Sequence, residues 1–301
     1  LLLIVMTLVF VLMRVIPGDP ATLILGEEAS REDIENLREQ MGLNDPMPEQ
    51  FKNYFFDIFS GNWGTSLYNN NPVFENILAR MEPTIMLMLY STVISVAIGI
   101  PFGILSARKR NSAVDYVLTT VSVLGLSIPM FWLGIMMVYL FGVQLGWMPV
   151  QGYQTISEAG IGAALYHLTM PAIAVGFQHV ASTSRYTRST MLDVLENDYV
   201  RTARSKGLAD NTVFYKHALK NALSPVVTTI GFSMASMLGG TAVTESVFNI
   251  PGMGKLAYDS LMRRDYPQEQ AIILFVAAIF IVTNILMDII YKWLDHRIEL
   301  D

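Results

Sequence analysis

Three stretches of this chain, 84–105, 116–143 and 271–291, are apolar for twenty or more residues each. About 20 helical residues cross the roughly 30 Å hydrocarbon core of a bilayer, and only helices or closed barrels satisfy every backbone N–H and C=O there. With 52% hydrophobic and only 15% charged residues the chain is oilier than a soluble core needs, so the fold class is an all-α integral membrane protein. A fourth stretch, 226–244, is less apolar but rich in Gly, Ala and Ser, as helices packed closely on other helices are. A fifth, 168–184, is interrupted by Gln178 and His179 and is counted because the loop charges alternate consistently only with it. The first thirteen residues are apolar up to Arg14, too short to span alone, and read as the end of a first span (1–16) that lacks its beginning. Six spans are expected.

Orientation follows from Lys and Arg, which accumulate in short cytoplasmic loops. One side holds 106–113, 185–222 and the C-terminal tail, with twelve basic residues. The other holds 17–82, 144–166 and 246–269, with seven, most of them in long or mixed segments. Both termini and the loop 185–222 are therefore placed in the cytoplasm. A net charge of -6 offers no basic footprint for nucleic acid. The absence of cysteine excludes disulfides and thiolate metal sites. The four histidines are scattered without metal-ligand spacing, so no metal site is expected. No G-x-x-x-x-G-K-[ST] phosphate loop occurs, so ATP binding is not expected of this chain.

Segment 17–82 carries twelve of the 26 acidic residues and reads as a small extracytoplasmic helical cap between spans 1 and 2. Ser30 with Asp33 marks a helix start and Gly42 followed by Asn-Asp-Pro its stop. A second helix from about Pro48 presents Phe51, Tyr54, Phe55, Ile58 and Phe59 on one side, for packing on its own protein in preference to a partner. The remainder, 83–301, forms a core of five spans.

The loop 185–222 is the most informative segment. Asn197 and Asp198 can cap a helix starting at Tyr199, and Gly207 supplies the positive φ that ends it after about two turns. Val200 and Ala203, three apart, make one face small enough for another protein's backbone to approach. Arg201, Arg204 and Lys206 cover the rest. A second short helix restarts after Asp210, and the next span follows Ser224-Pro225. By charge alone an ordinary basic loop obeying the positive-inside rule is the preferred reading; the order of helix, Gly break, helix and span is what points to function.

The pattern RTARSKGL, followed by HALKNALSP, resembles the cytoplasmic "EAA" loop of binding-protein-dependent ABC importers, in the form of the dipeptide, oligopeptide, nickel and glutathione branch. MRVIPGDP (13–20), GLNDP (42–46), GNWGTS (61–66), TRSTMLDVL (187–195), ESVFNIPGMGKL (245–256), RRDYP (263–267) and NILMDIIYKWLDHRI (284–298) extend the likeness almost end to end. The triplet itself is Arg201-Thr202-Ala203 here, and His296 stands where the branch has Pro. The resemblance implies the type I importer permease fold, with a cytoplasmic coupling helix between spans 4 and 5. It implies that Arg201, Thr202, Ala203 and Gly207, edged by Asp198, Arg204 and Lys206, meet a cytoplasmic ATPase. It further implies a second homologous permease chain, two ABC ATPase subunits that bind ATP and Mg, an extracytoplasmic substrate-binding protein, and a bacterial or archaeal cytoplasmic membrane. The chain itself would be no enzyme and hold no cofactor. Its cargo would be di- or oligopeptides, with glutathione, a nickel complex or an opine as alternatives. A self-sufficient secondary transporter or channel is the competing reading, for which inverted repeats and midplane ionisable residues would be expected.

Ionisable groups in or near spans are functional suspects. Arg14 and Asp115 lie near span ends, where interfacial placement accounts for them. Arg185 opens the cytoplasmic loop, and Asp288 is spaced to pair with Lys292. Glu245, at the outer end of a Gly-rich span before the PGMG turn, is a candidate gate or contact for a substrate amine, or else a packing or ion-pair residue. Pro101, Pro129 and Pro171 are expected to kink helices.

Overall fold

The structure, a computed structural model, describes residues 1–15, 19–26 and 29–294. It is about 81% helical, with no strands among the described residues. Two compact units appear: Leu1–Met81 with Met253–Ile279, and Glu82–Gly252 with the chain from Phe280 onward. The tail after Leu294 and the side chains of Asp288 and Lys292 lie outside the described residues.

The first unit contains α1 (Leu2–Val15), α2 (Pro20–Leu25), α3 (Arg31–Gln40), α4 (Met47–Ser60), the start of α5 (Val73–Arg108), α13 (Met253–Arg263) and the first half of α14 (Tyr266–Leu294). The Ser30 hydroxyl accepts from the Asp33 amide at 3.1 Å, and Gly42 and Gly61 take φ of +65° and +83° just beyond α3 and α4. The apolar side of α4 packs inward. Phe10 of α1 meets Phe51 edge-on at 5.1 Å and Tyr54 at 5.5 Å, and Phe55 and Ile58 join Met6, Val9 and Leu274. Phe59, expected on that side, is instead 65% exposed, because it falls at the edge of the stripe. Two of the sequence motifs meet here. The Asp265 carboxylate of RRDYP accepts from the Ser66 hydroxyl and the Leu67 amide beside GNWGTS, while Arg263 stacks 3.7 Å above the Tyr68 ring.

The second unit contains the rest of α5, α6 (Ala113–Ser127), α7 (Met130–Met137) continued as a π-helix Val138–Gln144, and α8 (Ile156–Leu195). It then has α9 (Asp198–Ser205), α10 (Asp210–Thr212), a π-helix Val213–Ala218, α11 (Leu219–Gly240) and α12 (Ala242–Val247). The helix α8 holds the stretch that looked weakest by hydropathy, yet 44% of its membrane-length window is buried, against 17% for α14. A helix enclosed by protein has less need of apolar side chains than one facing lipid. Its approach to α5 is set by Gly99 and Gly103, four apart on one face. A Cβ on Gly103 would lie 2.5 Å from the Ser184 carbonyl oxygen and the Thr187 Cβ. Gly176 of α8 reciprocates against the Ser91 carbonyl, and the Ser95 and Thr183 hydroxyls lie 3.0 Å apart. This is the small-residue packing that membrane helices favour.

Stretch 116–143 is not one straight span: α6 and the helix Met130–Gln144 meet at 95°. Ile128 is extended, with ψ of 121°, as the residue before a proline tends to be, and Pro129 offers no N–H to continue the ladder. Pro101 and Pro171 are absorbed inside continuous helices. The non-helical residue of α8 is Gly160, at φ +78°. By length and composition four described helices can cross a membrane, or five with the bent pair taken as one span. The fourteen residues of α1 are apolar but shorter than these.

Candidate functional site

The helix α9 starts one residue earlier than expected, at Asp198, with Asn197 extended at its N-cap. Its end is fully determined. Gly207 at φ +75° donates its amide to the Arg204 carbonyl at 2.9 Å, and the Leu208 amide reaches the Ala203 carbonyl at 3.4 Å. Those two bonds are the Schellman pattern, which satisfies carbonyls left open at a helix end. A Cβ at Gly207 would meet nothing within 4 Å, so backbone conformation alone, not space, selects glycine there.

The faces of α9 are opposite to those the sequence suggested. Val200 and Ala203 are 0% and 8% exposed and close a small core with Val213 and Leu195. They are not a free surface for another protein. An eight-residue helix has to bury its only apolar pair somewhere, and the end of α8 and the start of the next helix provide the place. The solvent face carries Asp198, Arg201, Thr202, Arg204, Ser205 and Lys206. Asp198 and Arg201 pair at 3.4 Å with side chains 96% and 76% exposed, a contact worth little in water. On the flank, the Asn221 amide donates to the Tyr199 hydroxyl at 2.8 Å. Beyond Gly207 the chain does not form a separate short helix. From Asp210 it runs through Pro225 to the end of α11 without a break.

Glu245, in the first turn of α12, is 0% exposed. Its carboxylate accepts from the Thr84 hydroxyl at 2.8 Å and the Thr241 hydroxyl at 3.1 Å. Gly252 lies so close that a Cβ there would collide with the carboxylate, and the Ile250 amide donates to the Glu245 backbone carbonyl at 2.8 Å. Nearby, Glu82 accepts from the Tyr153 hydroxyl at 2.8 Å and the Ile156 amide at 2.7 Å. Burial first, and then this hydrogen bond, pushes the Tyr153 phenol above its ordinary pKa.

Asp115 lies in the first turn of α6, and it is held by the protein as well as by its place near a span end. It is 2% exposed and receives a bidentate fork from Arg188 of α8, at 2.7 and 2.8 Å. The Ser106 hydroxyl, the Asn111 amide and, at 3.4 Å, the Thr119 hydroxyl donate to it as well. Local pattern cannot reveal a partner 73 residues away. The available signals were an acid at the mouth of an apolar run and an arginine within TRSTMLDVL.

These features define a polytopic helical membrane protein whose longest polar loop forms a short helix held across the ends of two long ones. The chain belongs to the family described as binding-protein-dependent transport system inner membrane component, which matches residues 99–300, while the corresponding N-terminal family of these membrane components matches residues 1–88. It is 44% identical to the oligopeptide transport system permease protein AppB of Bacillus subtilis, over 96% of this chain and 92% of that one. Identity is 40% to the dipeptide transport system permease protein DppB of Alkalihalophilus pseudofirmus, covering 98% and 94%, and 42% to the glutathione transport system permease protein GsiC of Pectobacterium atrosepticum, covering 99% and 94%. The fold is that of the MetNI methionine ABC transporter in its inward-facing form, with a TM-score of 0.62 at 16% identity over 75% of this chain and 99% of that chain. The chain is thus a membrane permease subunit of an ABC transporter and not an enzyme; ATP hydrolysis falls to separate ATPase subunits. A self-sufficient transporter is set aside.

Proposed function

We propose that the chain is one of two homologous permease subunits through which an importer moves di- or oligopeptides. Two ATPase subunits bind ATP and Mg, and an extracytoplasmic protein delivers the cargo. The names of the relatives support a peptide cargo, glutathione being itself a tripeptide. The loop charges support a multi-pass protein of the cytoplasmic membrane with both termini inside the cell.

Coupling is assigned to α9, and one observation carries that assignment: a Schellman-stopped helix turns Val200 and Ala203 inward and Arg201, Thr202, Arg204 and Lys206 outward. Asp198 and Gly207 bound this exposed face, and Ala203 supports it from within. Because α9 sits between α8 and the long helix from Asp210, a partner that pulls on it loads both. Closure of the ATPase pair then shifts the spans between two states by differential affinity. Glu245 has no surface for a substrate amine in this conformation and is assigned to holding the Gly252 turn.

The test is Gly207→Val beside Gly207→Asn. A branched side chain at φ +75° costs about 1–2 kcal/mol or more, whereas Asn tolerates that region. The Val variant is expected to reach the membrane in normal amount but lose transport per ATP several-fold, with the Asn variant close to wild type. Unchanged transport in the Val variant would overturn the assignment.

A further inference from the structure

We infer that the Asp115–Arg188 pair is a force-transmitting lock that makes the α5–α6 connection and the arms of α9 move as one body. The inference rests on α9 being the coupling helix. The Asp115 carboxylate is buried and fully occupied: Arg188 Nε and Nη2 form a fork on its two oxygens, the Ser106 hydroxyl of α5 donates to one and the Asn111 amide to the other. Such a fork fixes orientation as well as distance, because both planar groups are held at two points. Arg188 lies in the last two turns of α8, which ends at Leu195 just before α9. The same connection also grips the other arm. Arg108, the last residue of α5, donates to Asn211 at 2.7 Å and to the Tyr215 hydroxyl at 3.0 Å, at the start of the helix that leaves α9. Arg110 reaches Glu196 at 3.2 Å on the first arm.

One short turn therefore holds the entry and the exit of the coupling loop, and the fork, with the Asp115 side chain 3% and the Arg188 side chain 27% exposed, is the best shielded of these contacts. The exposed pairs can exchange with solvent; the fork cannot slip without leaving a buried charge unpaired. Displacement of α9 is carried into α5 and α6 through Asp115, and Arg188 acts as a positioning residue.

The sequence holds no cysteine, so paired spin labels can be placed at Lys109→Cys in the turn and Asn197→Cys at the N-cap of α9, both exposed and outside the lock and the coupling face. The distance between them is measured by pulsed EPR in the full complex, nucleotide-free and trapped with ATP and vanadate. The lock predicts the same narrow distance distribution in both states. It predicts that Arg188→Lys, which keeps the charge but not the fork, broadens or shifts that distribution on trapping. The neutral pair Asp115→Asn with Arg188→Gln should do the same, and it covers the case in which a single variant folds poorly. A distance that changes in the unmodified lock, or stays fixed in both variants, overturns the inference. Docking is read separately, from whether the ATPase subunits copurify with the unlabelled wild type and are lost with Arg201→Glu; if that reversal leaves them bound, the coupling assignment fails, while the distances still judge the lock.

Discussion

Glu245 is a carboxylate with no exposed surface, and its neighbours show what holds it there. Hydroxyls of Thr84 and Thr241 donate to it, and the missing side chain of Gly252 leaves it room. Both hydroxyls donate to the same oxygen, so in Glu245→Gln the amide oxygen can keep them while the N–H₂ replaces the other, buried acceptor oxygen. The expected loss is about 1–3 kcal/mol, seen as lower thermal stability in detergent, with the concentration dependence of uptake unchanged. If Glu245→Gln instead weakens apparent cargo affinity at normal stability, the residue touches the cargo or gates its path. Residues governed by their immediate neighbours in sequence were readable in advance: the Ser30 cap, the stop at Gly207, the helix begun near Asn197. The direction of the Val200–Ala203 face was not, because a small apolar pair at helical spacing fits a partner and an internal core equally well. Asp115 and Arg188 were each visible and their meeting was not.

Among the elements, α8 carries the packing of the second unit, and its closest approach is at Gly103 of α5. Gly103→Leu would drive a side chain into the Ser184 carbonyl and Thr187, an overpacking cost of about 1–3 kcal/mol or more. A lower unfolding temperature and reduced membrane level are expected, whereas Gly162→Ala, with open space around it, should be neutral or slightly stabilising. Equal effects at the two sites would show that this interface does not limit stability. Hydropathy found the long helices because lipid demands a continuous apolar run. It undervalued 168–184, since a helix facing protein escapes that demand; the kink at Pro129 was expected from the proline itself, but not its size of 95°, since two apolar helices joined by a two-residue break read as one stretch.

At the scale of the molecule, the sequence carried the fold class and the motif order, and the motifs acquired reasons in the structure: RRDYP anchors GNWGTS through Asp265, and Gly252 of ESVFNIPGMG leaves room for the Glu245 carboxylate. The joining of Met253–Ile279 to the N-terminal unit was not legible, because nothing local in either segment specifies a contact so far along the chain. The central claim is that ATPase subunits grip the outward face of α9. The most direct measurement is purification of the chain in mild detergent from its native membrane, followed by mass spectrometry of what accompanies it, for wild type and for Arg201→Glu with Lys206→Glu. A second permease chain and ATPase subunits are expected with the wild type, and the double reversal should release the ATPase while retaining the second permease. ATPase subunits that stay bound to the double variant, or that never accompany the wild type under conditions where other membrane complexes survive, would contradict the account.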